Sequence, residues 1–180
     1  MLRLFIKDYS CKWFFDKHSL SRYLIFMTVE YNVLMENNTK VTQAITEKDQ
    51  QDCFSIRIEV FVEEQGVPSE EELDELDETS FHAIARINTY PVGTGRLIPE
   101  GNNNGRIGRM AVRKDYRRFG IGGLVLTYLE EIAVNKGITR ITLDAQEYVK
   151  QFYLDHGYHV QGDVFLEVGI PHVTMVKIIN

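Results

Sequence analysis

A chain of 180 residues that is 44% hydrophobic and 26% charged has the composition of one ordinary globular domain with a full core. Its formal net charge is −6, yet residues 63–78 alone hold nine acidic side chains and no Lys or Arg, so the acidity is local. This balance gives no support for a nucleic-acid-binding protein, which would carry a basic face.

The two cysteines, Cys11 and Cys53, lie far apart and show neither CxxC nor zinc-finger spacing. The absence of either spacing argues against a disulfide framework and against a structural metal site. The longest apolar run near the N-terminus, residues 23–29, is too short to span a bilayer. We therefore expect a cytoplasmic protein that has no membrane partner and binds no metal.

Residues 1–40 differ from the rest of the chain because they are crowded with aromatic side chains. Residues 1–22 contain five Lys or Arg and two Asp, whereas transit peptides usually avoid acidic residues. Organellar targeting stays open beside two simpler alternatives, an added element packed on the core or a translation start at Met35. We interpret residues 1–40 as an N-terminal extension of unknown role and residues 41–180 as the domain.

The first part of the domain is predicted from alternation and capping signals. Residues 41–46 favour a strand, and residues 47–60 favour a helix capped by Thr46. The acidic run 69–78 has too few large apolar residues for a core element, so we expect a solvated helix or loop. Three short β-type runs separated by turn signals then predict an antiparallel meander. They occupy residues 80–87, 92–99 and 105–112.

The clearest periodic pattern starts at Ile121. Apolar residues recur there at the spacing of one buried helix face, and Gly137 is expected to end the helix near Lys136. The remaining elements are a buried strand, a short helix and two final strands. They are predicted at residues 139–145, 147–156, 158–167 and 172–178. These elements together indicate an α+β fold.

A turn rich in arginine and glycine, RRFGIGG at residues 117–123, joins the third strand of the meander to this helix. The first amides of a helix lack internal partners and carry the positive end of its dipole, so they attract anionic oxygens. Glycines at 120, 122 and 123 would let a phosphate approach the backbone, and Arg117 and Arg118 would add charge for a diphosphate. The turn suits a pyrophosphate, although it has neither P-loop nor GxGxxG spacing.

The pattern RxxGxG, filled by Arg117, Gly120 and Gly122, resembles the acetyl-CoA signature of the GNAT N-acetyltransferases. Taken alone it could also be an ordinary glycine-rich turn. Residues 143–146 followed by FYLDHGY at 152–158 resemble the second motif of the same superfamily. Two further stretches are similar to the bacterial ElaA and YjcF-like subgroup, at residues 57–66 and 165–175.

The resemblance covers about residues 41–180 and implies a mixed, mostly antiparallel central sheet with helices on both faces. It also implies acetyl-CoA as a cosubstrate, with transfer of the acetyl group to a primary amine by direct attack in a ternary complex. The exposed backbone of one strand would pair with the pantetheine arm, and the turn would hold the phosphates. The implied cofactor-binding residues are Met110, Ala111, Val112, Arg117, Arg118, Phe119, Gly120, Ile121, Gly122 and Gly123.

Tyr153 lies in the family's tyrosine position and is the candidate general acid, because a phenol of pKa about 10 matches a departing thiolate. Its alternative role is that of a core aromatic. Glu64, His82 and His172 are the candidate proton acceptors. Glu64 could equally be a solvated charge, the two histidines could be satisfied strand residues, and water could accept the proton instead.

The acidic run favours an amine-bearing, cationic acceptor, either a small molecule or a protein. The sequence does not decide the oligomeric state, and a homodimer stays open. A different class of function is also compatible with the motifs: a non-catalytic acyl-CoA-binding or protein-interaction module. Acetyl-CoA binding without amine-dependent thiol release would favour that alternative.

Overall fold

A computed structural model describes residues 38–180, so the predictions for Cys11 and for most of the N-terminal extension lie outside the described residues. The helices are α1 (Glu47–Arg57), α2 (Ser69–Glu72), α3 (Ile121–Asn135) and α4 (Lys150–Asp155). The strands are β1 (Thr39–Gln43), β2 (Phe81–Ile87), β3 (Tyr90–Gly101), β4 (Asn104–Val112), β5 (Arg140–Gln146), β6 (His159–Glu167) and β7 (Ile170–Ile178).

Within residues 38–180, seven strands form one sheet in the order β1-β2-β3-β4-β5-β7-β6. Neighbouring strands are antiparallel except β4 and β5, which are parallel. The sheet therefore confirms both the predicted meander, β2 to β4, and the mixed, mostly antiparallel fold. The predicted first strand is misplaced, because it begins at Thr39 and ends at Gln43.

Helices cover both faces of the sheet, as expected. On one face α3 buries Val125, Leu126 and Leu129 in the main core. Gly137, with a φ of 72°, follows the end of α3 and allows the left-handed turn predicted there. On the other face, Ile56 of α1 packs with Ala111 of β4. None of the described helices is both long and apolar enough to cross a membrane.

Helix α1 begins as predicted, because the Thr46 hydroxyl accepts a hydrogen bond from the Asp49 amide at 3.1 Å. The predicted end at residue 60 is wrong. The α-helical hydrogen bonding gives way to a π-helical segment, Ile58–Glu63, which extends the helix beyond that residue. Such wider turns occur frequently at functional sites, and this one runs to the loop that begins at Glu64.

The acidic run 69–78 is mostly exposed and helical, as expected, but two of its acidic side chains are buried. Glu72 and Asp77 are 2% and 9% exposed, respectively. The guanidinium of Arg57 lies between them, with Nε 2.6 Å from a Glu72 oxygen and Nη1 2.6 Å from an Asp77 oxygen. Arg96 binds Asp77 at 2.7 Å and Asp74 at 2.6 Å. Much of the local negative charge is therefore neutralised within the domain.

This network predicts an acid-sensitive contribution to stability. Burial opposes the ionisation of Asp77, but bonds from Arg57 and Arg96 outweigh it and lower the pKa from 3.8 to about 2. Ionised Asp77 therefore stabilises the fold fully above pH 3.8, and this contribution is lost as the pH falls towards 2. Asp77→Asn should lower the free energy of unfolding at neutral pH by about 3 kcal/mol and flatten its decrease in acid.

Urea unfolding followed by circular dichroism at several pH values measures both effects. Asp163→Asn, in the exposed strand β6, is the matched control and should keep the wild-type pH profile. An Asp77→Asn profile that parallels the wild type would show that Asp77 has no such coupling.

Candidate active site

The site begins where β4 and β5 separate. In the described sheet these strands pair at three positions, the last being Arg106 with Thr142. Both strands continue, and each keeps its other neighbour: Val112 of β4 still pairs with β3, and Gln146 of β5 still pairs with β7. A gap therefore opens between the carboxyl ends of two adjacent strands, and an extended ligand can pair there with exposed backbone.

The edge of β4 that borders this gap contains Met110, Ala111 and Val112. Ala111 is buried against the π-helical side of the sheet, whereas Met110 and Val112 are half-buried beside the main core. Their side chains thus hold the strand in place from both faces. Beyond Arg106 no described strand pairs with this edge of β4, and the Val112 carbonyl oxygen accepts a hydrogen bond from Arg117.

The turn after β4 brings the start of α3 to the end of this gap. Arg117 Nε donates to the Val112 carbonyl oxygen at 2.8 Å, which holds the turn against the end of β4. Gly120 precedes α3 with a φ of 76°, a backbone conformation that favours glycine. No side chain among residues 38–180 caps α3 at Gly120. The first amides of the helix can therefore receive an anion.

Arg117 has a contact that the sequence analysis did not anticipate. Its Nη2 lies 2.7 Å from a Glu64 carboxylate oxygen, so one guanidinium joins the turn, the end of β4 and the end of the π-helical segment. Arg117 therefore shares its charge with Glu64, and its role in binding a diphosphate stays a prediction. Arg118 is exposed and has a φ of 67°.

Gly122 and Gly123 are favoured as glycines for different physical reasons. A Cβ on Gly122 would lie 3.6 Å from the Phe152 ring, an ordinary contact, so space beside the helix remains there. A Cβ on Gly123 would lie 2.9 Å from Nε2 of His156. Glycine at position 123 is therefore favoured by the packing of α3 against α4, in addition to the approach of a phosphate.

The two apolar residues of the turn anchor it from below. Ile121 is 1% exposed in the main core, and Phe119 is half-buried against that core. Their side chains face the protein, so a ligand at the turn would meet their backbone amides. Both were predicted as cofactor-binding residues, and that role stays a prediction.

Tyr153 lies on α4, which follows β5 after one 3₁₀ turn, Glu147–Val149. Its side chain is 8% exposed, and its ring lies 4.9 Å from Phe152 and 5.8 Å from Tyr158, measured between centroids. Burial raises the pKa of the phenol. Tyr153 is thus a core aromatic whose hydroxyl stays protonated near neutral pH, but burial makes it a weaker proton donor than the ordinary phenol assumed from the sequence.

His82 lies away from the gap on β2, beneath α1. It is 2% exposed, its ring contacts Phe54 edge-on, and Nε2 lies 3.0 Å from the Asp77 carbonyl oxygen. Because a carbonyl only accepts, Nε2 carries the proton. Burial lowers the pKa of His82. Within residues 38–180 Nδ1 of His82 is buried without a hydrogen-bond partner, so the ring is a buried strand histidine with one of its two nitrogens satisfied.

The other two candidates differ in burial, because Glu64 is partly exposed whereas His172 is 8% exposed. Glu64 is bound to Arg117, as described above. His172 lies opposite Gln146 in the β5–β7 register. Its Nδ1 is 2.9 Å from the Ile170 carbonyl oxygen, so Nδ1 carries the proton and Nε2 keeps its lone pair. That Nε2 lies 3.6 Å from a Glu167 carboxylate oxygen.

Sequence reasoning missed a hydrogen bond across the mouth of the gap. Gln146 Nε2 donates to Gln65 Oε1 at 2.9 Å and thereby links the end of β5 to the loop after the π-helical segment. Two glutamines far apart in sequence give no motif that could have revealed it. Among residues 38–180 no three His, Cys, Asp or Glu side chains are grouped to hold a metal ion. Burial raises the pKa of Cys53 to about 11, so its thiol is a poor nucleophile.

The different contacts of the two arginines predict different losses on substitution. Arg118→Ala should weaken CoA by about tenfold and leave pantetheine almost unchanged, because only the nucleotide end carries phosphates. Arg117→Ala should weaken both ligands, since it also releases the end of β4. Isothermal titration calorimetry with each ligand measures this, and Lys114→Ala, an exposed cation nearby, is the control. Equal losses for both ligands in Arg118→Ala would contradict the assignment.

Comparison with known proteins identifies the family of the chain. The family description "Acetyltransferase (GNAT) domain" matches residues 40–179. A Bacillus subtilis (strain 168) protein, described as uncharacterized N-acetyltransferase YjcF, is 40% identical over 139 residues, covering 77% of this chain and 99% of that protein. These matches confirm the resemblance found in the sequence.

Solved structures give the same fold. A crystal structure from Lactobacillus plantarum, of a protein assigned as an N-acetyltransferase, has a TM-score of 0.72 and 31% identity and covers 78% of this chain and 97% of its own. Escherichia coli ElaA has a TM-score of 0.70 over 77% of this chain and 99% of its own, and at 22% identity that likeness concerns the fold. The chain belongs to the GNAT family of acetyltransferases.

Proposed function

We propose that this protein is an acetyl-CoA-dependent N-acetyltransferase that moves the acetyl group to a primary amine within a ternary complex. The observation that carries the proposal is the gap between β4 and β5, bordered by the backbone of Met110–Val112. The uncapped start of α3 lies at the end of that gap. An extended arm with a diphosphate at one end fits such a combination of a free strand edge and a helix N-terminus.

When bound, acetyl-CoA supplies a thioester that the amine attacks directly, so no covalent enzyme intermediate is required. The protein's part is to align the two reactants, accept a proton from the amine and donate one to the departing sulfur. Tyr153 is the proposed donor. Its buried phenol holds a proton at neutral pH, and α4 follows the strand that borders the gap after one 3₁₀ turn, which supports the proposal.

For the proton acceptor, the contacts favour His172 over the other two candidates. Nε2 of His172 has an available lone pair and a carboxylate nearby, whereas His82 is buried with its Nε2 proton on a carbonyl. Glu64 is engaged by Arg117. We therefore assign the base role to His172.

The acceptor is a primary amine on a small molecule or a protein. Three acidic side chains, Glu72, Asp74 and Asp77, are paired with arginines. They therefore attract a cationic acceptor less than the sequence suggested. Exposed acidic side chains nonetheless remain on the same segment. They are Glu63, Glu70, Glu71, Glu75 and Glu78.

A thiol-release assay tests the proposal. The full chain is mixed with acetyl-CoA and a panel of amines that includes polyamines, amino acids, aminoglycosides and lysine peptides, and free CoA thiol is measured together with the mass of the acceptor. The expected result is amine-dependent thiol release with a gain of one acetyl group. Tight CoA binding with no transfer to any amine would instead support a non-catalytic acyl-CoA-binding module.

A further inference from the structure

Strand β4 contains a β-bulge at the point where it leaves β5. The register between β3 and β4 shifts between Thr94 and Arg96, and the extra residue belongs to β4. Gly95 is thus opposed by two residues, Arg109 and Met110. Arg109 has a φ of 52°, in the left-handed region. Bulges of this kind usually have glycine in that position.

An arginine in a glycine position needs a compensating reason, since the backbone there is strained for any residue with a Cβ. The side chain of Arg109 supplies one. Nη2 donates to the Glu71 carbonyl oxygen at 2.9 Å, and Nε donates to the Glu72 carbonyl oxygen at 3.1 Å. Nη2 also lies 3.2 Å from an Asp74 carboxylate oxygen. These three contacts, made by Nε and Nη2, fix the planar guanidinium of Arg109.

The segment that Arg109 binds is itself held by buried ion pairs. Glu72 is bound by Arg57, whose side chain is fully buried, and Asp74 is bound by Arg96, which is 3% exposed. Arg109 is therefore attached to a fixed support rather than to a loop that could follow it. The bulge is held from the α1 side of the sheet by the acidic segment.

The bulge has a direct relation to the proposed cosubstrate site. The last described pair between β4 and β5 involves Arg106, so the unpaired edge of β4 begins after that residue and includes both Arg109 and residues 110–112. A change in the backbone angles at 109 would rotate the amides and carbonyls that follow it. We propose that Arg109 is a positioning residue, whose side chain fixes the bulge and thereby aims the backbone of residues 110–112 into the gap.

This inference rests on the proposed function for its kinetic consequences, but it also has a readout that does not. Arg109→Gly is the informative variant, because glycine tolerates the φ of the bulge while every side-chain contact is lost. If the side chain positions the edge, amide hydrogen exchange over residues 108–112 should be faster than in the wild type without any ligand. The kcat/KM for acetyl-CoA should fall by about 10- to 100-fold.

Arg109→Lys is a second, more conservative variant that keeps the test usable if Arg109→Gly does not fold. It keeps a cation but cannot reproduce the forked contacts, so its kcat/KM and its exchange should lie between those of the wild type and Arg109→Gly. Arg106→Ala is the matched control, because Arg106 lies on the same strand and pairs with Glu100 and Asp144 instead of with the acidic segment. It should leave exchange over residues 108–112 and kcat/KM close to wild type.

The outcomes separate the two proposals. Wild-type exchange over residues 108–112 in folded Arg109→Gly would overturn the positioning role, whatever the activity. Faster exchange with an unchanged kcat/KM would also overturn it, since the edge would then be loosened without consequence for the cosubstrate. If the wild type neither binds nor uses acetyl-CoA, the proposed function fails, and the exchange comparison still decides whether Arg109 holds the bulge.

Discussion

Tyr153→Phe should lower kcat by about 10²- to 10⁴-fold while the KM for acetyl-CoA and the melting temperature stay close to wild type. The substitution keeps the ring that packs against Phe152 and Tyr158 and removes only the hydroxyl. Binding should therefore be preserved, and the loss should appear in the step that needs a proton at the departing sulfur. Steady-state kinetics with acetyl-CoA measure the effect.

The motif offers its own control in Tyr158, which is fully buried, aromatic and only five residues further along the chain. Tyr158→Phe should keep kcat near wild type, because Tyr158 has no proposed contact with the reactants. A thioester whose leaving thiol has a lower pKa should reduce the deficit of Tyr153→Phe, since that thiol needs less protonation. Full turnover of Tyr153→Phe with acetyl-CoA would show that Tyr153 is a packing residue.

The second large effect is expected at Gly122. Gly122→Glu should weaken CoA binding by about 100-fold or more, because it places a carboxylate where a pyrophosphate should bind. The fold should survive, since the new Cβ has only an ordinary contact with Phe152 at 3.6 Å and an acidic side chain suits a helix N-terminus. Calorimetric titration with CoA and thermal unfolding measure the two quantities separately.

Gly122→Gln has nearly the same size without the charge, so it is the matched control. We expect it to weaken CoA much less than Gly122→Glu does. If both variants remain folded and bind CoA as the wild type does, the turn is not the phosphate site. If both lose affinity equally, bulk rather than charge excludes the ligand, and the electrostatic part of the argument is wrong.

The parts of the fold that the sequence predicted are those with local signals. The period of α3, its stop at Gly137 and the turn signals between β2, β3 and β4 all lie within a few residues of the elements they specify. The RxxGxG turn is equally local, and the structure places it at the start of α3. Local patterns were sufficient there because the same residues supply both the signal and the structure.

The features that the sequence did not predict depend on contacts between residues that lie far apart in the chain. The acidic segment is mostly exposed, as its composition predicts, but the burial of Glu72 and Asp77 depends on Arg57 and Arg96, which come from α1 and β3. No short window contains both partners of these ion pairs. The same reason hid the bulge at Arg109, because its contacts lie 35 residues or more away in the chain.

The role of Gly123 shows how a correct motif can conceal a second cause. Close approach of a phosphate would explain a glycine at position 123. A Cβ there would also lie only 2.9 Å from Nε2 of His156, so the packing disfavours any other residue. A sequence motif records which residues are present and not which of several contacts requires them. Separating these causes needs the packing of α3 against α4, which the sequence does not display.

The most direct test of this account is amide hydrogen exchange of the full chain with and without CoA. We expect protection on CoA binding at two places, the edge of β4 at residues 110–112 and the start of α3 at residues 120–123. Strand β6, at the far edge of the sheet, should exchange equally in both states. CoA binding that leaves both of these places unprotected, or that protects a different surface, would contradict the assignment of the gap between β4 and β5 as the cosubstrate site.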